Sequence, residues 1–118
     1  MIFPELRSIQ SPDLEPPALP KDVRDCEVVF RAIVGPKGEP GEEVFGFIVV
    51  TSAHLQKTAE IVWGRGHLIV AQFDWRTVVQ AIAELLVRCA RPSWSEVVAE
   101  LNKYFIWESD TKQRNAVS

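Results

Sequence analysis

The sequence predicts an α+β fold, in which an antiparallel β-sheet of about three to four strands is packed on one face by two C-terminal amphipathic helices. Three observations lead to this class. Two segments in the first half of the chain are rich in β-branched and aromatic residues, as strands are. The last third carries an apolar stripe at helical spacing. The strands come first and the helical pair last, without the regular alternation of a parallel α/β protein.

The N-terminal segment, residues 1–25, is predicted to be irregular and rich in proline. Within it, Ile2, Phe3, Leu6 and Ile9 are suited to one short strand that lies on the core. The stretch SPDLEPPALP then carries four prolines. Each proline fixes a backbone angle and lacks an N–H donor, so this stretch is expected to be a loop or an edge segment.

Residues 26–51 predict a β-hairpin. The first strand reads CEVVFRAIV, and alternate residues give it one fully apolar face. That face consists of Val28, Phe30, Ala32 and Val34. The Gly/Pro-rich loop GPKGEPG, residues 35–41, separates it from a second strand expected at about Glu42–Thr51. Two neighbouring strands joined by so short a loop are expected to pair antiparallel.

The middle of the chain is less regular. SAHLQKTAE is predicted to form a short helix with Ser52 as its N-cap. Gly64 and Gly66 indicate a turn, and the apolar run HLIVAQF that follows has the length of another strand.

The first C-terminal helix is predicted to begin after Asp74, a good N-cap residue, and to end before Pro92. Its apolar stripe has almost no exceptions and consists of Trp75, Val78, Val79, Ile82, Leu85, Leu86 and Cys89. Arg88 and Arg91 stand near its C-terminus, where the helix dipole favours positive charge.

The second C-terminal helix is predicted to begin with the capping box formed by Ser93 and Glu96. Its apolar face consists of Trp94, Val97, Val98, Leu101, Tyr104 and Phe105. The helix is expected to end near the sequence IWESD, and residues 111–118 are expected to be a polar tail.

Composition narrows the classes of function. The 118 residues fit a single domain, 1–118, with 13 basic and 16 acidic residues and a net charge of −3. That charge gives no indication of direct nucleic-acid binding. No run of residues is long and apolar enough for a membrane span, and the N-terminus does not resemble a signal peptide. Cys26 and Cys89 are expected to be buried thiols in a reducing compartment, so the protein is predicted to be cytoplasmic.

No motif in the sequence predicts catalysis, a metal or a cofactor. No two of Cys26, Cys89, His54 and His67 fall within five residues of each other, which argues against the usual metal-ligand spacings. Cys89 lies on the apolar stripe of a helix, and Cys26 has acidic neighbours that disfavour a thiolate. The loop GPKGEPG lacks the residue order of a phosphate-binding loop. The protein is therefore predicted not to be an enzyme.

Several segments together resemble the immunity protein 8 family of bacterial polymorphic toxin systems. They are VVFRAIVGPKGEPGEEVFGFIVVTS, GRGHLIV, SWSEVVAEL and the closing WESD, and the resemblance covers roughly residues 28–110. The order of the segments carries the resemblance more than any one of them does. Two positions depart from the family pattern. Ser52 stands where the family tends to have proline, and Ser109 interrupts an aromatic-acidic ending.

The resemblance implies a stoichiometric inhibitor that binds a cognate toxin domain, encoded by an adjacent gene and frequently a nuclease. An acidic surface would suit the positively charged active site of a nuclease, and exposed tryptophans are common in interfaces. The candidate toxin-binding residues are Glu39, Glu42, Glu43, Trp63, Trp107, Glu108 and Asp110. The alternative is a small adaptor domain with another protein partner, which the sequence does not distinguish. The oligomeric state is open.

Overall fold

The computed structural model describes residues 1–58 and 64–109. It has the predicted α+β fold, with a five-stranded sheet and three helices among the described residues. In chain order the elements are β1 (Pro4–Gln10), β2 (Glu27–Pro36), β3 (Glu43–Thr51), α1 (Ser52–Thr58), β4 (His67–Val70), α2 (Trp75–Arg88), α3 (Trp94–Leu101) and β5 (Ile106–Trp107). None of the described helices is long and apolar enough to cross a membrane.

The sheet is mixed, with β3 at its centre. β1 pairs antiparallel with β2, and β2 pairs antiparallel with β3, which confirms the predicted hairpin. β4 runs parallel to β3, however, where an antiparallel sheet was expected. Parallel neighbours cannot be joined by a tight turn, and the connection between β3 and β4 contains α1. β5 pairs antiparallel with the first part of β3, so β4 and β5 share one edge of that strand.

β1 is the short strand that was expected within the irregular N-terminal segment. Its register with β2 shifts between Leu6 and Ser8, so Arg7 is an extra residue in a β-bulge. Leu6 lies opposite Val34 and Ile9 lies opposite Ala32, both on the apolar face of β2. The bulge explains how two apolar residues three positions apart contact the same core, since regular alternation would place them on opposite faces.

Both C-terminal helices begin as predicted. The carboxylate of Asp74 accepts a hydrogen bond from the backbone N–H of Arg76 and caps α2. At α3 the Ser93 hydroxyl accepts from the N–H of Glu96, and the Glu96 carboxylate accepts from the N–H of Ser93. The guanidinium of Arg91 donates to the backbone carbonyls of residues 88 and 90, near the negative end of α2.

The predicted end of the second C-terminal helix was wrong, because α3 ends at Leu101. The side-chain oxygen of Asn102 accepts a hydrogen bond from the backbone N–H of Trp107, 2.9 Å away, which turns the chain back toward the sheet. The carbonyl of Tyr104 accepts from the N–H of Gly66 at 2.8 Å and so joins this turn to the start of β4. These bonds replace the helical ones and allow the chain to enter β5.

The predicted N-cap of α1 was wrong by one residue. Ser52 is the first residue of the helix, and the hydroxyl of Thr51 accepts the hydrogen bond from the N–H of His54 at 3.3 Å. The same hydroxyl accepts from the N–H of Cys26 at 3.1 Å. Thr51 is fully buried, so its polar group both caps α1 and fixes the start of β2.

The core lies between the helices and one face of the sheet, called here the covered face. Phe30 is at its centre, with its ring 5.4 Å from the ring of Phe47 and 5.3 Å from that of Trp75. Trp75 and Trp94 are partly buried against this core, as expected. The opposite face, called the open face, includes Val29, Arg31 and Ile33 of β2, Gly46 and Ile48 of β3, Ile69 of β4 and Ile106 of β5.

Both cysteines are free and buried, as the sequence predicted. Burial raises the pKa of the Cys89 thiol. Burial also raises the pKa of Cys26, and the charges of Asp22 and Asp25 raise it further. Both groups are therefore held as thiols and are poor nucleophiles.

Candidate partner-binding surface

The loop between β2 and β3 is held in one conformation by its glycines and by Arg7. Gly38 and Gly41 have φ angles of 76° and 108°, in the region that favours glycine. The guanidinium of Arg7 donates hydrogen bonds of 2.9 Å to the carbonyls of Pro36 and Glu39. Since Arg7 is the extra residue of the β1 bulge, the bulge places its side chain over the loop. The loop is thus fastened to the neighbouring strand.

Gly35 is required where the guanidinium of Arg7 crosses the strand. A Cβ atom at Gly35 would lie 2.5 Å from the carbonyl oxygen of Gly41 and 2.6 Å from the central carbon of the guanidinium. Both distances are too short for any side chain. Arg7 was not among the predicted site residues. Its only signal in the sequence is the spacing of Leu6 and Ile9, which requires an extra residue between them.

The structure brings the loop and the C-terminal segment together. β5 pairs with the beginning of β3, so that Trp107 lies opposite Phe45. The indole N–H of Trp107 donates to the carboxylate of Glu43 at 3.0 Å, and the hydroxyl of Ser109 contacts the same oxygen at 3.5 Å. Ser109, which departs from the family pattern, therefore supports a predicted site residue.

The predicted acidic residues differ in their exposure and in whether a neighbouring cation compensates their charge. Glu108 accepts hydrogen bonds of 2.7 Å and 3.0 Å from the guanidinium of Arg31, so its charge is compensated locally. Glu43 is half-buried against Trp107. Glu39 and Glu42 are exposed, and neither has an ion pair within residues 1–58 and 64–109. We call Glu39, Glu42, Glu43 and Trp107 together the hairpin end.

Two of the predicted site residues, Trp63 and Asp110, lie outside the described residues. The other five lie within the described residues.

A second polar cluster joins α1 to the start of β2. His54 contacts Asp25 at 2.9 Å and Glu27 at 3.5 Å, and Lys57 also binds the Asp25 carboxylate. The hydrogen bonds from Lys57 and then His54 lower the pKa of Asp25 below its ordinary value. Among the described residues, no group of three or more His, Cys, Asp or Glu side chains is placed to hold a metal ion. The cluster is therefore interpreted as a structural tie.

Comparison with known proteins gives a family match. The sequence model of the immunity protein 8 family matches residues 4–111. The match begins at the first residue of β1 and extends past the last residue of β5. No curated protein and no solved structure matches the chain. Because the match covers nearly the whole chain and all of its described helices and strands, the chain belongs to the immunity protein 8 family.

Proposed function

We propose that the protein binds a cognate bacterial toxin domain and neutralises it as a stoichiometric inhibitor. Membership of an immunity protein family is the observation that carries this proposal. The toxin domain is encoded by an adjacent gene, and the protein acts in the cytoplasm of the cell it protects. Its activity is binding without catalysis, and it needs no cofactor.

The hairpin end is proposed as the part of the surface that meets the toxin. Two features support this proposal: the loop carries exposed carboxylates, and hydrogen bonds hold it in one conformation. Arg7 holds the loop that carries Glu39 and Glu42, so little conformational entropy is lost when a partner binds there. Trp107 contacts Glu43, the residue after Glu42, and supplies the apolar area that interfaces favour.

The sign of the charge favours a basic partner, and we propose a nuclease. A nuclease active site is positively charged because it holds phosphate groups. Carboxylates at Glu39 and Glu42 would occupy such a site in place of phosphates and would steer the encounter through long-range attraction. Steering of this kind raises the association rate and weakens as the salt concentration rises.

The proposal is tested by co-expression with the C-terminal domain of the protein encoded by the adjacent gene. Cells that express the toxin domain alone are expected to die, and cells that also express this protein are expected to survive. Co-purification should give a complex with one copy of each chain. A harmless neighbour, or a toxic one that does not bind, would contradict the proposal.

The hairpin end is tested separately by charge reversal. The double variant Glu39→Lys, Glu42→Lys is expected to associate at least tenfold more slowly with the toxin domain at low salt, and less so at high salt. Glu15→Lys is the matched control for the single variants Glu39→Lys and Glu42→Lys, because it changes the net charge equally and Glu15 is exposed in the loop that follows the other end of β1. Equal association rates for the single variants and this control would remove the hairpin end from the interface and leave the inhibitor proposal standing.

A further inference from the structure

The helices do not fill the space above the part of the covered face that lies beside β4. A cleft of about 420 Å³ separates α2 from the turn that follows α3. Phe47, Leu68 and Phe105 form an apolar floor, and Ile82 of α2 forms one wall. Leu68 is only half-buried, although it lies opposite Val49 on the core side of the sheet. A volume of this size is enough to hold one or a few side chains of a partner, since small-molecule pockets begin at about 300 Å³.

The rim of the cleft is mainly basic. It carries Arg65, Arg88 and Lys103, with Glu84 as its one carboxylate among the described lining residues. All three cations are exposed. The side chain of Arg88 has no hydrogen bond or ion pair with any residue in the described ranges 1–58 and 64–109. A protein with a net charge of −3 thus concentrates positive charge around one apolar recess.

The other two cations are held in place by their neighbours. Arg65 donates to the backbone carbonyl of Asn102 at 2.8 Å and to its side-chain oxygen at 2.7 Å. Lys103 lies 2.9 Å from the carboxylate of Glu100, which compensates part of its charge. Fixed charges around an apolar floor favour an occupant that is apolar at its centre and acidic at its edges.

The cleft and the hairpin end share strand β3. Phe47 on its floor is four residues from Glu43 along β3, which corresponds to about 13 Å at the rise of a strand. Phe105 of the cleft is followed along the chain by Trp107 of the hairpin end, two residues later. One interface of ordinary size, about 800 Å² on each partner, is wide enough to cover both.

We propose that the cleft receives an acidic segment of the toxin domain, with an apolar side chain on its floor and carboxylates at Arg88 and Lys103. This inference rests on the proposed function and adds to it a second contact of opposite charge. The acidic hairpin end meets the basic part of the toxin, and the basic cleft meets an acidic part about 13 Å away along β3. Two contacts of opposite sign fix the orientation of the partner, which one charged patch does not.

The apolar part of the inference is tested by filling the cleft. Ala81 lines the cleft on α2, and Ala83, two residues later on the same helix, lies beside β1 instead. Ala81→Phe is expected to weaken binding of the co-purified toxin domain at least tenfold in calorimetric titration. The matched control Ala83→Phe is expected to bind like the wild type. Thermal unfolding of both variants checks that each has folded.

The acidic part is tested by zero-length cross-linking of the wild-type complex with a carbodiimide, which joins a lysine amine to a carboxylate in contact. Lys103 is expected to be joined to an Asp or Glu of the toxin domain, identified by mass spectrometry, in competition with its own neighbour Glu100. Arg88→Glu is expected to weaken binding at least tenfold at low salt. Arg76→Glu, an exposed reversal near the other end of α2, is expected to have no effect.

The outcomes separate the two proposals. If the toxin domain binds the wild type but Ala81→Phe binds equally well, the cleft is not part of the interface and the inhibitor proposal remains. The cleft is excluded in the same way if Lys103 cross-links only within its own chain. If the wild type neither binds the toxin domain nor protects the cells, both proposals are overturned, because the cleft is proposed as a site for that domain.

Discussion

The two faces of the central sheet use the same strands in different ways. On the covered face Phe30, Phe45 and Val49 are completely buried under the helices. On the open face Val29 is 41% exposed and Ile69 is 49% exposed. Neighbouring residues of one strand therefore have separate roles, since side chains alternate between the faces. The covered face supplies the stability, and the open face and the rim of the sheet are less constrained by packing.

On the open face, polar contacts hold neighbouring segments of the chain in place. The ion pair between Arg31 of β2 and Glu108 joins the C-terminal segment to the sheet. The guanidinium of Arg7 covers Gly35 and fastens the hairpin loop. Exposed ion pairs contribute little to stability, so these contacts position the surface more than they hold the fold.

The largest difference between the faces is expected from a pair of alanine substitutions in β2. Phe30→Ala removes a ring that three other aromatic rings contact, and should lower the free energy of unfolding by about 3–5 kcal/mol. Val29→Ala removes a half-exposed side chain from the adjacent position and should cost about 1 kcal/mol. Urea denaturation measures both, and equal costs would show that the faces do not differ in the way described.

The alternation of apolar residues predicted the covered face because burial on one side of a strand leaves a period of two in the sequence. Helix caps at Asp74 and Ser93 were predictable for a similar reason, since each depends on a few adjacent residues. The direction of β4 was not predictable in this way. It depends on the path of the chain through α1, and four residues carry no signal of parallel pairing.

The candidate surface was predictable only in part. The carboxylates of the hairpin loop are local in sequence, so their shared location followed from the turn. The contact between Glu43 and Trp107 joins residues 64 positions apart and depends on the two-residue strand β5, which was expected to be helical. The cleft was not predictable from any local pattern, because its cations come from three separate segments of the chain.

A sharper comparison within the open face is offered by two glycines. Gly35→Ala would place a Cβ 2.5 Å from a backbone oxygen and against the Arg7 guanidinium, and should cost about 1–3 kcal/mol through overpacking. Gly46→Ala meets nothing closer than 3.9 Å, and should be neutral or stabilise the strand by about 0.5–1 kcal/mol. The midpoints of thermal unfolding compare the two. A stable Gly35→Ala variant would mean that Arg7 does not clamp the loop.

The attachment of the helical layer is expected to depend moderately on its caps. Ser93→Ala removes the hydroxyl that accepts from the N–H of Glu96, and should lower the free energy of unfolding by about 1 kcal/mol. Ser95→Ala is the control, because the only hydroxyl contact of Ser95 within the described residues is with Ser93, at 3.2 Å. Chemical denaturation should rank the wild type and Ser95→Ala together and Ser93→Ala below them. The opposite ranking would mean that the capping box does not hold α3.

The smallest effect is expected at the end of the sheet, where Asp25 joins the start of β2 to α1 through His54 and Lys57. Hydrogen bonds from Lys57 and His54 lower the pKa of Asp25, so the folded state favours its ionised form. The resulting stabilisation is complete above the ordinary pKa of an aspartate and is lost as the pH falls through the lowered value. Asp25→Asn should therefore be less stable than the wild type at neutral pH, and the difference should disappear in acid. Glu15→Gln, which changes an exposed carboxylate outside this cluster, should follow the wild type throughout. The measurement is thermal unfolding at acidic and neutral pH. If Asp25→Asn remains less stable than the wild type in acid, its lower stability comes from altered packing and not from the lost charge.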